Sequence, residues 1–181
     1  MKTYIALFRG INVGGNNLLP MNVLRAILEK LGAEQVKTYI QSGNAVFQHK
    51  AAGTAKFADK ISAAIQESRG FKPYILLMEA SDLEKAIAAN PFPEGEKEPK
   101  SLHIFFLHSA PKKPDLATLE SLKSKTERFF LKGKEFYLHA PEGVGRSRLA
   151  ARAEKALGVA ATARNWRTVL EIMDMAKSEA D

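Results

Sequence analysis

Apolar positions along this chain form short uninterrupted runs that alternate with stripes at three- and four-residue spacing. Residues 3–8 hold Tyr4, Ile5, Leu7 and Phe8 without a charge, the mark of a buried strand. A Gly- and Asn-rich loop, Arg9 to Asn17, follows. Pro20 suits the opening of a helix, and Val23, Leu24, Ile27, Leu28 and Leu31 place one apolar stripe along it. Gly32 is its stop. Residues 36–41 and 45–48 read as strands joined by the tight turn Ser42-Gly43-Asn44. A helix over residues 54–68 turns Phe57, Ile61, Ala64 and Ile65 inward, Gly70 closes it, and residues 73–78 form another strand. The order β-α-β-β-α-β predicts the ferredoxin-like split β-α-β pattern.

The next segment, Ser81-Asp82-Leu83-Glu84, matches a capping box that opens a short helix. Residues 90–100 then break every period with Pro91, Pro93, Gly95 and Pro99, and read as a linker between halves. Residues 102–108 restart with a strand. Asp115 caps a helix bearing Leu116, Leu119 and Leu122, and a hairpin turns at Lys132-Gly133-Lys134. Two helices are expected at the end, over residues 146–157 and 162–177, parted by Gly158, with Thr162 as the second helix's N-cap. The expected fold class is therefore α+β: two ferredoxin-like halves with antiparallel sheets and extra C-terminal helices. The halves are residues 1–89 and 101–181. The second half reads with a helix where its last strand would fall.

Three motifs, 4-YIALFRGINVGG-15, 39-YIQSGNAVF-47 and 162-TARNWRTV-169, resemble those of the bacterial domain of unknown function 1697 (DUF1697) family. They are spread along nearly the whole chain. The matching positions are Arg9, Gly10, Asn12, Gly14, Gly15, Ser42, Gly43, Asn44, Arg164, Asn165, Trp166 and Arg167. The resemblance implies a two-part α/β fold with ferredoxin-like halves. It implies no activity and supplies no catalytic residue.

Composition narrows the chemistry. The 181 residues contain no cysteine, which removes disulfides, thiolate nucleophiles and cysteine-zinc sites. The four histidines lack ligand spacing and the motif segments lack paired carboxylates, so no metal or other cofactor is expected. No run approaches the roughly 18 apolar residues that cross a bilayer. No secretory leader is evident at the start. Cytoplasmic residence without a membrane partner is the default expectation. The formal charge is +7, and it is uneven. Residues 1–50 hold six basic groups against two acidic ones, and residues 51–96 hold five against seven.

The charge points to an anionic partner. Two places could receive one. In the loop, backbone N–H groups of Gly10, Gly14 and Gly15, with Arg9 and Asn12, could cradle an anion at a helix start. The spacing is neither a Walker loop nor a dinucleotide fingerprint, and tight turning alone would also explain the glycines. Near the C-terminus, Arg146, Ser147, Arg148, Arg164, Asn165 and Arg167 gather at the two expected helix starts, where the macrodipole favours acids. Solvation or distant ion pairs would account for them equally well. Ser42 and Asn44 flank the hairpin turn. Ser42 has no evident base and no nucleophile elbow around it.

These residues predict a small phosphate- or carboxylate-bearing ligand, with no reaction type specified. One alternative is a nucleic-acid module on the basic second half, with Phe130 and Tyr137 side by side on a hairpin to stack bases. The other is a non-catalytic structural or partner-binding domain. Oligomeric state is not encoded in any pattern visible here.

Overall fold

The computed structural model describes residues 1–50 and 53–178. Among them are eight strands and six helices in the order β1 (Lys2–Arg9), α1 (Met21–Lys30), β2 (Glu34–Tyr39), β3 (Asn44–His49), α2 (Thr54–Arg69), β4 (Tyr74–Glu79), α3 (Ala80–Ala88), β5 (Leu102–Leu107), α4 (Leu116–Leu122), β6 (Arg128–Lys132), β7 (Glu135–His139), α5 (Arg148–Leu157), β8 (Ala161–Asn165) and α6 (Trp166–Lys177). The strands form two four-stranded antiparallel sheets, ordered β2-β3-β1-β4 and β6-β7-β5-β8. The two orders are equivalent, so each half completes the β-α-β-β-α-β pattern.

Compactness divides the chain into Met1–Lys85 with Leu170–Asp181, and Ala86–Val169. The expected halves assigned everything from residue 101 onward to the second unit. The division instead returns the end of α6 to the first, where Lys177 lies 3.9 Å from Glu84 and Ser178 accepts from Lys37 (2.9 Å). In the first unit, Tyr4, Ala6 and Phe8 of β1 and Ala45 and Phe47 of β3 face Leu24 and Leu28 of α1 and Phe57, Ile61 and Ile65 of α2. The second unit repeats this with Phe105, Leu107, Phe136 and Leu138 against Leu119 of α4 and Leu149, Ala153 and Leu157 of α5. Each buried Leu, Ile or Phe contributes roughly 1.5–3 kcal/mol. Ile5, Leu7, Val46, Ile104 and Phe106, on the opposite sheet faces, are buried as well. Central strands buried on both faces read as continuous apolar runs rather than alternating ones.

Two local expectations change. Helix α3 begins at Ala80, directly after β4, so Ser81 lies inside the first turn and not at its cap. Residues 161–165 form strand β8, not a helix, and Thr162 is not a cap. β8 pairs with β5 from Ala161↔Leu107 to Asn165↔His103. Its five residues are too few for a period to distinguish strand from helix, and pairing with β5 settles the matter. The cap of α6 is Asn165, whose Oδ1 accepts from Thr168 N (2.9 Å). Asp115 does cap α4, accepting from Thr118 N (3.0 Å).

Thr162 is 2% exposed and its hydroxyl has no hydrogen-bond partner among the described residues. Asn165→Ala should therefore cost about 1 kcal/mol in chemical denaturation, the usual value of a lost cap. Thr162→Val should be neutral or stabilising, because it removes an unsatisfied buried hydroxyl. A reversed ranking would restore Thr162 as the cap.

Candidate functional site

The first two motifs meet at one end of the first unit's sheet. The loop after β1 does not run straight into α1. Gly14 (φ +57°) and Gly15 (φ +77°) both take left-handed values, as a type I′ turn requires. The chain folds back as a miniature hairpin, with Asn16 N donating to Val13 O (3.0 Å) and Asn12 N to Asn17 O (3.1 Å). Leu18, Leu19 and Pro20 separate this hairpin from the helix.

Asn12 binds the cluster together. Its Nδ2 donates to Leu19 O (2.9 Å) and Gln41 O (2.8 Å), and its Oδ1 accepts from Leu19 N (2.7 Å). Both amide protons are used, so Asn12 is a structural clamp between the hairpin, the entry to α1 and the β2–β3 turn. Asn17 Nδ2 donates to Gly10 O (2.9 Å). Gly43 N donates to Ile40 O (3.3 Å), and Gly43 O accepts from Phe8 N (2.9 Å). A Cβ on Gly43 would lie 2.5 Å from Ile11 Cδ1 and 2.7 Å from Phe8 Cβ, at φ +89°. No side chain fits there. Asn44 is fully buried and donates to Tyr39 O (2.9 Å), which holds the turn from within. Ser42 and Arg9 stand at the exposed rim.

The arginine segments belong to the second unit. Ser147 caps α5, accepting from Ala150 N (3.0 Å), and is itself buried. Arg146 precedes that cap and Arg148 follows it, both exposed. Arg164 lies on β8, not at a helix start. Burial pushes its guanidinium down to about 10, which leaves it charged at neutral pH, and its Nη1 donates to Ala163 O (2.9 Å). Arg167 is the second residue of α6, exposed, and makes no hydrogen bond or ion pair among the described residues.

Arg167 borders a groove of about 620 Å³ together with Glu98, Pro99, Lys100, Ser101, Pro141 and Gly143. The groove lies at the end of the second sheet where β5 begins and β7 ends. Except for Arg167, these residues escaped sequence reasoning. Residues 98–100 sit in the stretch read as a linker, and the only signal there was Lys100 between Pro99 and Ser101. Glu98 O accepts from Ser101 Oγ (2.8 Å), which fixes the turn that forms this wall.

The hairpin proposed to stack bases has the expected register, Phe130↔Tyr137. Tyr137 is nevertheless buried, and its hydroxyl donates to Ala86 O (2.6 Å). No ring face is left for a base. Phe130 is 46% exposed. Arg128 is ion-paired with Glu94 and lies 5.1 Å over the ring of Phe92. No cluster of three or more His, Asp or Glu residues suited to a metal occurs among the described residues. No described helix is long and apolar enough to cross a membrane.

With these features in place, the comparisons are direct. The family described as a protein of unknown function, DUF1697, matches residues 1–137. The chain belongs to the DUF1697 family. The match contains the loop and turn motifs and ends before the third motif, which lies in the part of the chain beyond it. A solved structure, that of a conserved bacterial protein from Streptococcus pneumoniae, is similar at 26% identity and a TM-score of 0.72, covering 97% of this chain and 98% of that one. No curated protein matches.

Two tests follow for this DUF1697 protein. Gly43→Ala combines a steric clash with a strained φ and should destabilise the chain by about 3 kcal/mol or more in a urea titration. His103 is pushed down to about 4 by burial, so the folded chain holds it neutral where the unfolded chain would protonate it. Stability then falls as pH drops from about 6.5 towards 4, by roughly 2–3 kcal/mol in all. His103→Gln should flatten that part of the stability–pH curve. An unchanged slope would remove the assignment.

Proposed function

We propose that this DUF1697 protein binds a small ligand bearing a phosphate or carboxylate in the groove of its second unit. Arg167 carries the reading. It is a cation without a protein partner among the described residues, in the first turn of a helix whose dipole disfavours it by roughly 0.3–1 kcal/mol, and it borders a groove. An anion beside Arg167 and Lys100 reverses that disadvantage. Arg supplies planar paired donors for such a group. The volume falls within the ~300–1,000 Å³ typical of small-molecule sites.

Glu98 on the same wall selects further. A bare anion gains nothing from it, whereas a ligand that also carries hydroxyl or amino donors can satisfy both ends. That favours sugar phosphates, nucleotides and amino acids over inorganic ions. Arg146 and Arg148 follow Gly143 in the chain and would extend the cationic rim. Nucleic-acid binding is the weaker reading, since, among the described residues, only Phe130 and Lys132 of the proposed stacking face remain exposed without a partner.

A thermal-shift screen of the full chain against inorganic phosphate, sugar phosphates, nucleotides and amino acids tests this. A ligand at 100 times its Kd stabilises by about 2.7 kcal/mol, or about 5–10 °C for a chain of this length. Arg167→Ala should abolish the shift. Absence of any shift, or an undiminished shift in Arg167→Ala, overturns the reading. Oligonucleotide affinity with a salt slope of several units would support nucleic acid in its place.

A further inference from the structure

The groove leaves two of the three motifs outside the proposed site, and they converge on one end of the first unit. That end is formed by residues 9–20, the turn at residues 40–43 and the connection at residues 69–74. Hydrogen bonds join the three: Asn12 to Gln41 O, and Arg69 Nε to Leu18 O (3.1 Å). Arg9 also pairs with Tyr74 across β1 and β4. Of the eight large apolar residues exposed among the described residues, four lie here: Val13 (64%), Leu18 (54%), Ile40 (48%) and Tyr74 (40%). The same three segments contain Arg9, Arg69 and Lys72 and no acidic residue.

Ile40 sharpens the point. It is β-branched and sits at φ +50°, a region costing roughly 1–2 kcal/mol for residues other than glycine. Being half exposed, it returns little of that cost through burial. Asn or Gly would hold the same turn with less strain. Strain kept at an exposed apolar position points to a partner that covers it.

We propose that this end of the protein docks on the surface of an anionic bilayer, with Val13, Leu18 and Ile40 entering the headgroup layer and Arg9, Arg69 and Lys72 facing lipid phosphates. Three features favour this over another protein partner. The positive charge suits an anionic surface and opposes a second copy of the same patch. Val13 beside the hairpin tip, Leu18 just after the hairpin and Ile40 in the neighbouring turn stand exposed on protruding loops, which suits shallow insertion, whereas peptide recognition needs a groove to receive side chains. The fold of the loop is held by Asn12 N to Asn17 O, Asn16 N to Val13 O and Asn12 Oδ1 to Leu19 N, so Val13 and Leu18 stay exposed on a fixed backbone. Surface docking requires no spanning helix, so it is compatible with the lack of one among the described residues.

Co-sedimentation of the full chain with vesicles tests the proposal, using phosphatidylcholine alone and phosphatidylcholine with 30% phosphatidylglycerol. Each cation near the surface is worth about a fivefold gain in partitioning. The anionic vesicles should therefore bind the chain at least tenfold more strongly than the neutral ones. The double substitution Val13→Ser with Leu18→Ser should reduce binding at least tenfold and leave the circular dichroism spectrum and the melting temperature unchanged, since both side chains are exposed. Phe130→Ser, an exposed apolar site in the other unit, should bind as the parent does. Equal partitioning to both vesicles, no sedimentation with either, or a double variant that binds like the parent would overturn the proposal. None of these outcomes depends on Arg167, so the groove and the docking surface stand or fall separately.

Discussion

Strands β1 and β5, each an inner strand of its sheet, are hydrogen-bonded along both edges and apolar on both faces. Such a strand has no place for a charge and no free backbone to solvate. Everything polar is displaced to its ends. Arg9 is the last residue of β1, and Ser101 and Lys100 precede β5. The candidate chemistry of this protein accordingly sits on loops at strand ends, held in position by a rigid apolar interior.

The loop at the end of β1 shows how such a position is fixed. Its glycines permit the hairpin, but Asn12 determines where the hairpin lies, because one side chain satisfies Leu19 twice and Gln41 once. Gly43 is the complementary requirement: the β2–β3 turn passes so close to Ile11 and Phe8 that any Cβ would collide. Two motifs separated in sequence are thus one structural object. Their residue types are set by packing and hydrogen bonding before any ligand is considered. The second unit differs. Arg167 is not spent on the fold, and it faces a groove whose other wall comes from residues 98–101.

Much of the architecture was legible because the relevant signals are local. The stripe from Val23 to Leu31, the apolar run from Tyr4 to Phe8, the cap at Asp115 and the register of Phe130 against Tyr137 each depend on a few neighbouring residues. The misreadings share a physical cause. Residues 161–165 contain alanine, threonine and arginine in a stretch too short to show a period, and only pairing with β5 makes them a strand. Ser81 fits a capping box, yet the chain enters α3 directly from β4 and leaves no cap position for it. Tyr137 lies where alternation placed it, but which sheet face becomes solvent is a property of the whole packing and not of the strand.

The sequence by itself determined the α+β class, the element order of the first half and of the second up to its last strand, the absence of thiol chemistry and the membership signalled by the loop and turn motifs, since each follows from residue type and near-neighbour spacing. Tertiary structure decided which residues hold the fold and which stay exposed. Asn12, Gly43 and Asn44 are consumed by hydrogen bonds and close packing, whereas Arg167, Lys100, Val13 and Leu18 are left facing solvent. That distinction depends on which groups long-range pairing brings together, and no local pattern of polar and apolar residues contains it.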